Sequence, residues 1–356
     1  MKLNKDKIGA MLMEVCITLL SIVLAVLVGA LVMVCFGYNP WEAYSALMKG
    51  AFGTLAAFTS TLTKSVPIML TGLAVAVAFK CGVFNIGAEG QLLMGSLFAG
   101  IAGIYITFLP SVLHIPVTLL ASIVGGMLWA FVPALMKQKF KVNVVIGTIM
   151  FNYIAQFFVQ YMILGPMKAD GVATATNPLQ ETALLPKLLS SPNVLNLGYI
   201  VAIAAAFAMY YLMQHTTKGY EMRAVGINPT ASKWNGINVE QNMFLALVVS
   251  GALAGLAGGI EVTGTVGKVV VGASSGYGFN GIPVALIAHN NPIIIIFSSL
   301  LLAAMKTGSM LMQTSAGVSK NVVDMVQGFI IVFLCAEHVF RYYIRKILAK
   351  KQGGKK

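Results

Sequence analysis

The chain of 356 residues is 58% hydrophobic and only 10% charged, with a mean hydropathy of +0.84. A soluble domain carries about 45–50% apolar and about 25% charged residues, so a soluble enzyme, a secreted disulfide scaffold and a disordered tail are excluded. The net charge of +13 does not point to nucleic acid, because Lys and Arg fall in short clusters between apolar runs, as positively charged cytoplasmic loops do. The length suits roughly ten spans of about 20 residues. The expected fold is an all-α polytopic membrane protein, one transmembrane domain over 1–356, with about ten helices and both termini cytoplasmic.

In chain order, Lys2, Lys5 and Lys7 precede an apolar run from Val15 to Phe36. That run exceeds the 7–15 residues of a signal-peptide core, so it reads as a retained first span, about 12–36. Asn39-Pro40-Trp41 then suggests a short interfacial helix with an aromatic anchor. Span 2 ends near Phe79, with Lys80 on the inner side. Spans 3 and 4 cover about 91–109 and 115–136, the latter closing on Lys137, Lys139 and Lys141. Span 5 is about 142–165. A polar external loop, 166–196, precedes span 6 at about 197–214.

The longest cytoplasmic segment is 215–241, carrying Lys218, Arg223 and Lys233. Span 7 covers about 242–263, and a Gly-rich interruption separates it from a short span 8 ending near His289. Spans 9 and 10, about 292–313 and 321–340, bring the chain back to the basic tail Arg341 to Lys356. Most basic residues then lie inside, which orients the whole. Cys16, Cys35, Cys81 and Cys335 lie in or beside apolar runs with no CxxC pair and read as free thiols.

Two breaks carry the functional reading. Span 2 turns into span 3 through Gly82 to Gln91, and span 7 into span 8 through Gly272 to Pro283. They hold matching positions in two inverted halves, about 55–165 and 242–340. Interrupted helices at corresponding places in inverted repeats point to a transport site near the membrane midplane. Asn85, Glu89 and Gln91 at the first break and Phe279 and Asn280 at the second are therefore translocation-path candidates. Glu89 has a second reading, as an acid at the positive end of span 3.

Asn152, Gln156 and Gln160 recur every four residues, on one helical face of span 5, beside Tyr153, Phe157 and Tyr161. Uncharged amides beside aromatic rings suit a neutral, partly aromatic solute; the alternative is hydrogen bonding between helices. Gly251, Gly255 and Gly259 form a small-residue ridge for close helix packing. Gly272 to Gly276 is similar to the nucleophile loop of intramembrane serine proteases, but neither His289 nor His338 has a positioned partner. No catalytic residue and no metal site are expected, and no GxxxxGK[ST] pattern for ATP occurs.

Gly82-Val83-Phe84-Asn85-Ile86-Gly87-Ala88-Glu89-Gly90-Gln91-Leu92 resembles the hallmark of permease subunits of ATP-binding-cassette importers for nucleosides and related simple sugars. Glu221 to Pro229, continuing to Gly236-Ile237, is similar to that family's ATPase-contacting segment. Ser250 to Val262 and Gly276 to Ile282 follow in the expected order, so the likeness runs over about 60–340.

The resemblance implies a multi-pass permease of the prokaryotic cell membrane that binds no cofactor itself. Two ATPase subunits would use ATP beneath it. A second permease chain, a copy or a paralogue, would pair with it, and an extracytoplasmic binding protein or lipoprotein would deliver solute. Glu221, Arg223, Gly226, Asn228, Pro229 and Gly236 become the expected ATPase-coupling residues. The rival readings are a permease for ribose or galactose and an ion-coupled secondary transporter, for which Glu89 and Lys306 speak.

Overall fold

The computed structural model describes residues 23–171, 174–189, 192–272 and 274–335. The basic N-terminal cluster, the first half of span 1, the end of span 10 and the basic tail lie outside the described residues. Among the described residues the fold is helical, with only isolated β-bridges. Among the described residues six helices are long and apolar enough to cross a membrane, where the sequence led to an expectation of about ten spans over the full chain.

Two compact units make up the chain, one of Met1–Gly53 with Met305–Lys356, the other of Thr54–Ala304. In the first, α1 is described over Val23–Cys35 and α2 spans Pro40–Phe52. The expected interfacial helix is thus present: Asn39 caps it by accepting from the Trp41 N–H at 3.0 Å, and Pro40 fills the first position, where its missing N–H costs nothing. Trp41 is 83% exposed, as an interfacial anchor should be. α13, Lys320–Cys335, packs Val322, Val323 and Val326 with Met33, Ala43 and Met312. Met312 belongs to α12, Pro292–Ser315.

The second unit holds α3 (Leu55–Lys80), α4 (Ala88–Tyr105), α5 (Ser111–Phe140), α6 (Val144–Leu164) and α7 (Gly198–His215). It continues with α8 (Thr217–Ile227), α9 (Pro229–Trp234), α10 (Val239–Ile260) and α11 (Tyr277–Ile287). α3 is buried from Ser65 to Ala78, and α10 packs on α5, α4 and α3. Glycine permits that packing: a Cβ at Gly251 or Gly255 would strike the α5 backbone at Gly126 or Ser122, and one at Gly95 would strike Gly255. The ridge is spent on helix contact, which in lipid relies on close van der Waals approach.

α10 ends in a π-helical turn, Glu261–Val266, closed by Gly267 at φ +72°. Glu261 is buried there at the head of the turn. The loop after α6 folds back onto this region by backbone bonds: Thr176 N–H to Val269 O at 3.0 Å, Leu179 to Gly267 at 2.9 Å and Leu185 to Thr263 at 3.0 Å. His114, fully buried on α5, bonds Thr182 of the same loop at 2.8 Å and the Ala102 carbonyl at 3.2 Å. The loop thereby fixes the segment between the π-turn and α11 from one side.

Candidate functional site

The helix starts explain the site. Gly87, before α4, offers no side chain to satisfy the first-turn N–H groups. Asn152 on α6 supplies the acceptor, taking the Gly90 N–H on Oδ1 at 2.8 Å while its Nδ2 donates to the Ile86 carbonyl at 2.9 Å. α11 starts at Gly276, again without a side-chain cap. Here Glu89 of α4 supplies it: Oε2 accepts from the Gly278 N–H at 2.8 Å, and Oε1 accepts from the Ser274 hydroxyl. A Cβ at Gly278 would collide with the Glu89 backbone, so glycine lets the two helix starts meet.

The two sequence breaks therefore come together. Both of the readings given for Glu89 bear on this: it sits in the first turn of α4, and its carboxylate serves the neighbouring helix. The segment leading into α11 turns through three left-handed residues, Gly272, Ser275 and Gly276. Its earlier part bonds the loop after α6 through Val271 N–H to Thr174 O at 3.1 Å.

Between α4, α6 and this segment lies a cavity of about 500 Å³, within the roughly 300–1,000 Å³ of small-molecule sites. Asn152, Gln156, Gln160, Glu89 and Phe279 all line it, with Tyr153 as a second ring. Asn85 and Gln91 do not. They are buried behind it, where Asn85 Nδ2 donates to Ser250 Oγ at 2.8 Å and to Gln91 Oε1 at 3.2 Å, and Asn85 Oδ1 takes the Gly87 N–H at 2.8 Å. Asn280, half-buried on α11, is also not among the lining residues.

Sequence reasoning missed Ser274 as the partner of Glu89 and Ser250 as that of Asn85. The glycines bracketing Ser274 and Ser275 were the available signal, which suggests a break or a nucleophile loop and not a partner for Glu89. The Ser274 hydroxyl is committed to Glu89, and no histidine lines the cavity among the described residues.

The segment 215–241 folds as two short helices. Thr216 caps α8 through Gly219 N–H at 3.0 Å, and Asn228 ends α8 and caps α9 through Ala231 N–H at 3.0 Å, with Pro229 at the first position of α9. Gly236, at φ +79°, makes the turn towards α10. Glu221 accepts from Lys218 at 2.8 Å and from Asn242 of α10 at 3.0 Å; these donors hold its carboxyl below the usual glutamate value. Arg223 donates to Gln214 at 3.1 Å.

Gly226 presses on the Lys80 carbonyl, where a Cβ would not fit, and its Cα lies 3.3 Å from where a Cβ on Gly82 would stand. The far face of this helix pair is bare, with Ile227 86% and Trp234 88% exposed. Gly226 thus brings α8 into backbone contact with the first break.

Residues 57–335 match the family model described as branched-chain amino acid transport system / permease component. The chain is 39% identical over 343 residues to the guanosine ABC transporter permease protein NupP of Bacillus subtilis, covering 95% of this chain and 97% of that protein. It is 35% identical over 360 residues to the nucleoside ABC transporter permease protein NupB of Lactococcus lactis, covering 96% and 98%. To a glucose ABC transporter permease protein of Haloferax volcanii it is 31% identical over 345 residues, covering 94% and 90%.

Proposed function

The chain belongs to the family of permease components of branched-chain amino acid transport systems, and from that premise we infer that it is the transmembrane subunit of an ATP-driven importer of nucleosides. It is a multi-pass protein of the prokaryotic plasma membrane. The observation that carries the substrate class is the cavity, whose lining combines the amides Gln156 and Gln160 with the rings Tyr153 and Phe279. Amides read the hydroxyls and ring nitrogens of a nucleoside, and aromatic rings stack on its base. The guanosine and nucleoside permeases NupP and NupB, among the similar proteins, support the same class.

ATP is used elsewhere, by ATPase subunits seated on the bare face of α8 and α9. Their closure pushes Gly226 against Lys80 and Gly82, which shifts the first break. Asn85 hangs from Ser250 and Asn152 holds Gly90, so a shift there moves the cavity wall. The halves 55–165 and 242–340 rock about that point, within ten spans whose ends are both cytoplasmic, and access alternates. A second permease chain closes the open side of the cavity along α6, and a binding protein delivers solute to the external loop.

The test is reconstitution. Proteoliposomes with the full assembly and a binding protein accumulate uridine only when ATP is supplied on the ATPase side. Uphill uridine uptake by this chain alone, driven by a proton gradient, overturns the assignment. Displacement of uridine by ribose or galactose, but not by other nucleosides, moves the substrate to simple sugars.

A further inference from the structure

Two helix N-termini converge on the cavity, those of α4 and α11. Each carries about half a positive charge and unpaired N–H groups, which makes a helix start a natural seat for anions. In this protein the seat is taken from within. Asn152 occupies the Gly90 N–H, and Glu89 spreads its two oxygens over the Gly278 N–H and the Ser274 hydroxyl. Ser274 in turn takes the Gly276 N–H at 3.3 Å. Each Glu89 oxygen is thus set against a hydrogen-bond partner of the α11 start, one backbone and one side chain. Glu89 is the only carboxylate among the described lining residues, and no lysine or arginine lies there.

We propose that Glu89 is a specificity-determining residue: its carboxylate fills the anion seat of the two helix starts and makes the cavity accept uncharged or cationic ring solutes and refuse anions. This deepens the reading of the cavity as a solute path and rests on it. A nucleoside enters with its neutral base and sugar facing amides and rings. The same nucleoside carrying a 5′-phosphate meets a resident negative charge at the one place whose backbone would otherwise welcome it. A carboxylate that merely capped α11 could have been replaced by a local serine or aspartate; borrowing Glu89 places the charge on the wall of the cavity instead.

The experiment reads the charge of the cavity without using a nucleoside. Ser275 lines the cavity beside Ser274. The full-length chain carrying S275C, in detergent micelles, is reacted with a cationic and with an anionic methanethiosulfonate reagent, the rates being taken over the chain without S275C. The cationic-to-anionic rate ratio should exceed that of a free thiol in solution by about tenfold, the size expected of one unscreened charge a few ångström away. E89Q should lower the ratio by about the same factor, and E89D should keep it.

A ratio at S275C no larger than the free thiol's overturns the proposal, and this comparison needs no change at Glu89. An unchanged ratio in E89Q overturns it too, as does an E89D ratio that falls as far as that of E89Q, because the effect would then be one of shape. Failure of the wild-type assembly to take up uridine removes the nucleoside reading instead and leaves the ratio to be judged by itself.

Discussion

Asn152 and Gln156 stand one helical turn apart on α6 and do different work. Asn152 is buried and spends both ends of its amide on backbone, the Gly90 N–H and the Ile86 carbonyl. Gln156 lines the cavity on an exposed stretch of the same face. Truncating Asn152 to Ala strips a buried N–H of its acceptor and uncaps α4, a loss of about 1–2 kcal/mol. Asn152→Ala should therefore melt measurably lower than the wild-type protein in a thermal-shift assay. Gln156→Ala removes no internal bond and should melt like the wild type, while its KM for uptake rises about 2–10-fold, the worth of one neutral hydrogen bond. The reverse pattern, lower melting and unchanged uptake for Gln156→Ala, assigns Gln156 to helix packing and takes α6 out of the path.

At the scale of elements, α8 and the break after α3 form a joint, meeting backbone to backbone at Gly226 and Gly82. The Gly226 Cα faces the Lys80 carbonyl, and Gly82, at φ +75°, lets the chain turn directly beneath. A methyl group at 226 must push the two apart. Gly226→Ala should leave the assembly's basal ATPase rate intact but cut uridine uptake per ATP about tenfold or more; normal uptake would show that the push does not travel through this joint. Gly82→Ala adds strain from the left-handed backbone and should behave at least as badly.

The helices at either side of the joint were legible in the sequence, and the joint itself was not. Apolar runs bounded by charge marked α3 to α7 to within a few residues. Asn39-Pro40 and Asn228-Pro229 announced two helix starts, because a capping side chain followed by proline has few other uses. The contact of Gly226 with Lys80 and the borrowed cap from Glu89 to Ser274, 185 positions away, depend on tertiary placement that no local pattern encodes. The glycines of the segment 267–276 say where the helix stops, not that the chain dips back to meet α4. The backbone pairing of the loop after α6 with Val269 and Gly267 was hidden for the same reason, since backbone bonds carry no residue signature.

The whole molecule raises the question of what lies beyond α6. Its outward residues include Tyr153, Phe157 and Tyr161, the last two 65% and 66% exposed, yet Gln156 sits among them and the cavity opens beside them. An amide-lined opening is a poor surface to offer lipid, where an unpaired polar group is expensive. In the proposed assembly the second permease chain covers it, and the path is shared between the two. The α5 residue Leu128, 54% exposed, does not line this cavity and suits lipid. Phe157→Cys should therefore cross-link to the partner permease with a short bis-maleimide in native membranes, at a rate that changes when ATP is trapped on the ATPases. Leu128→Cys should react with a lipid-soluble maleimide but give no cross-link. Cross-linking at Leu128 with none at Phe157 would place the second chain on the α5 side and leave the cavity facing lipid, which its amides argue against.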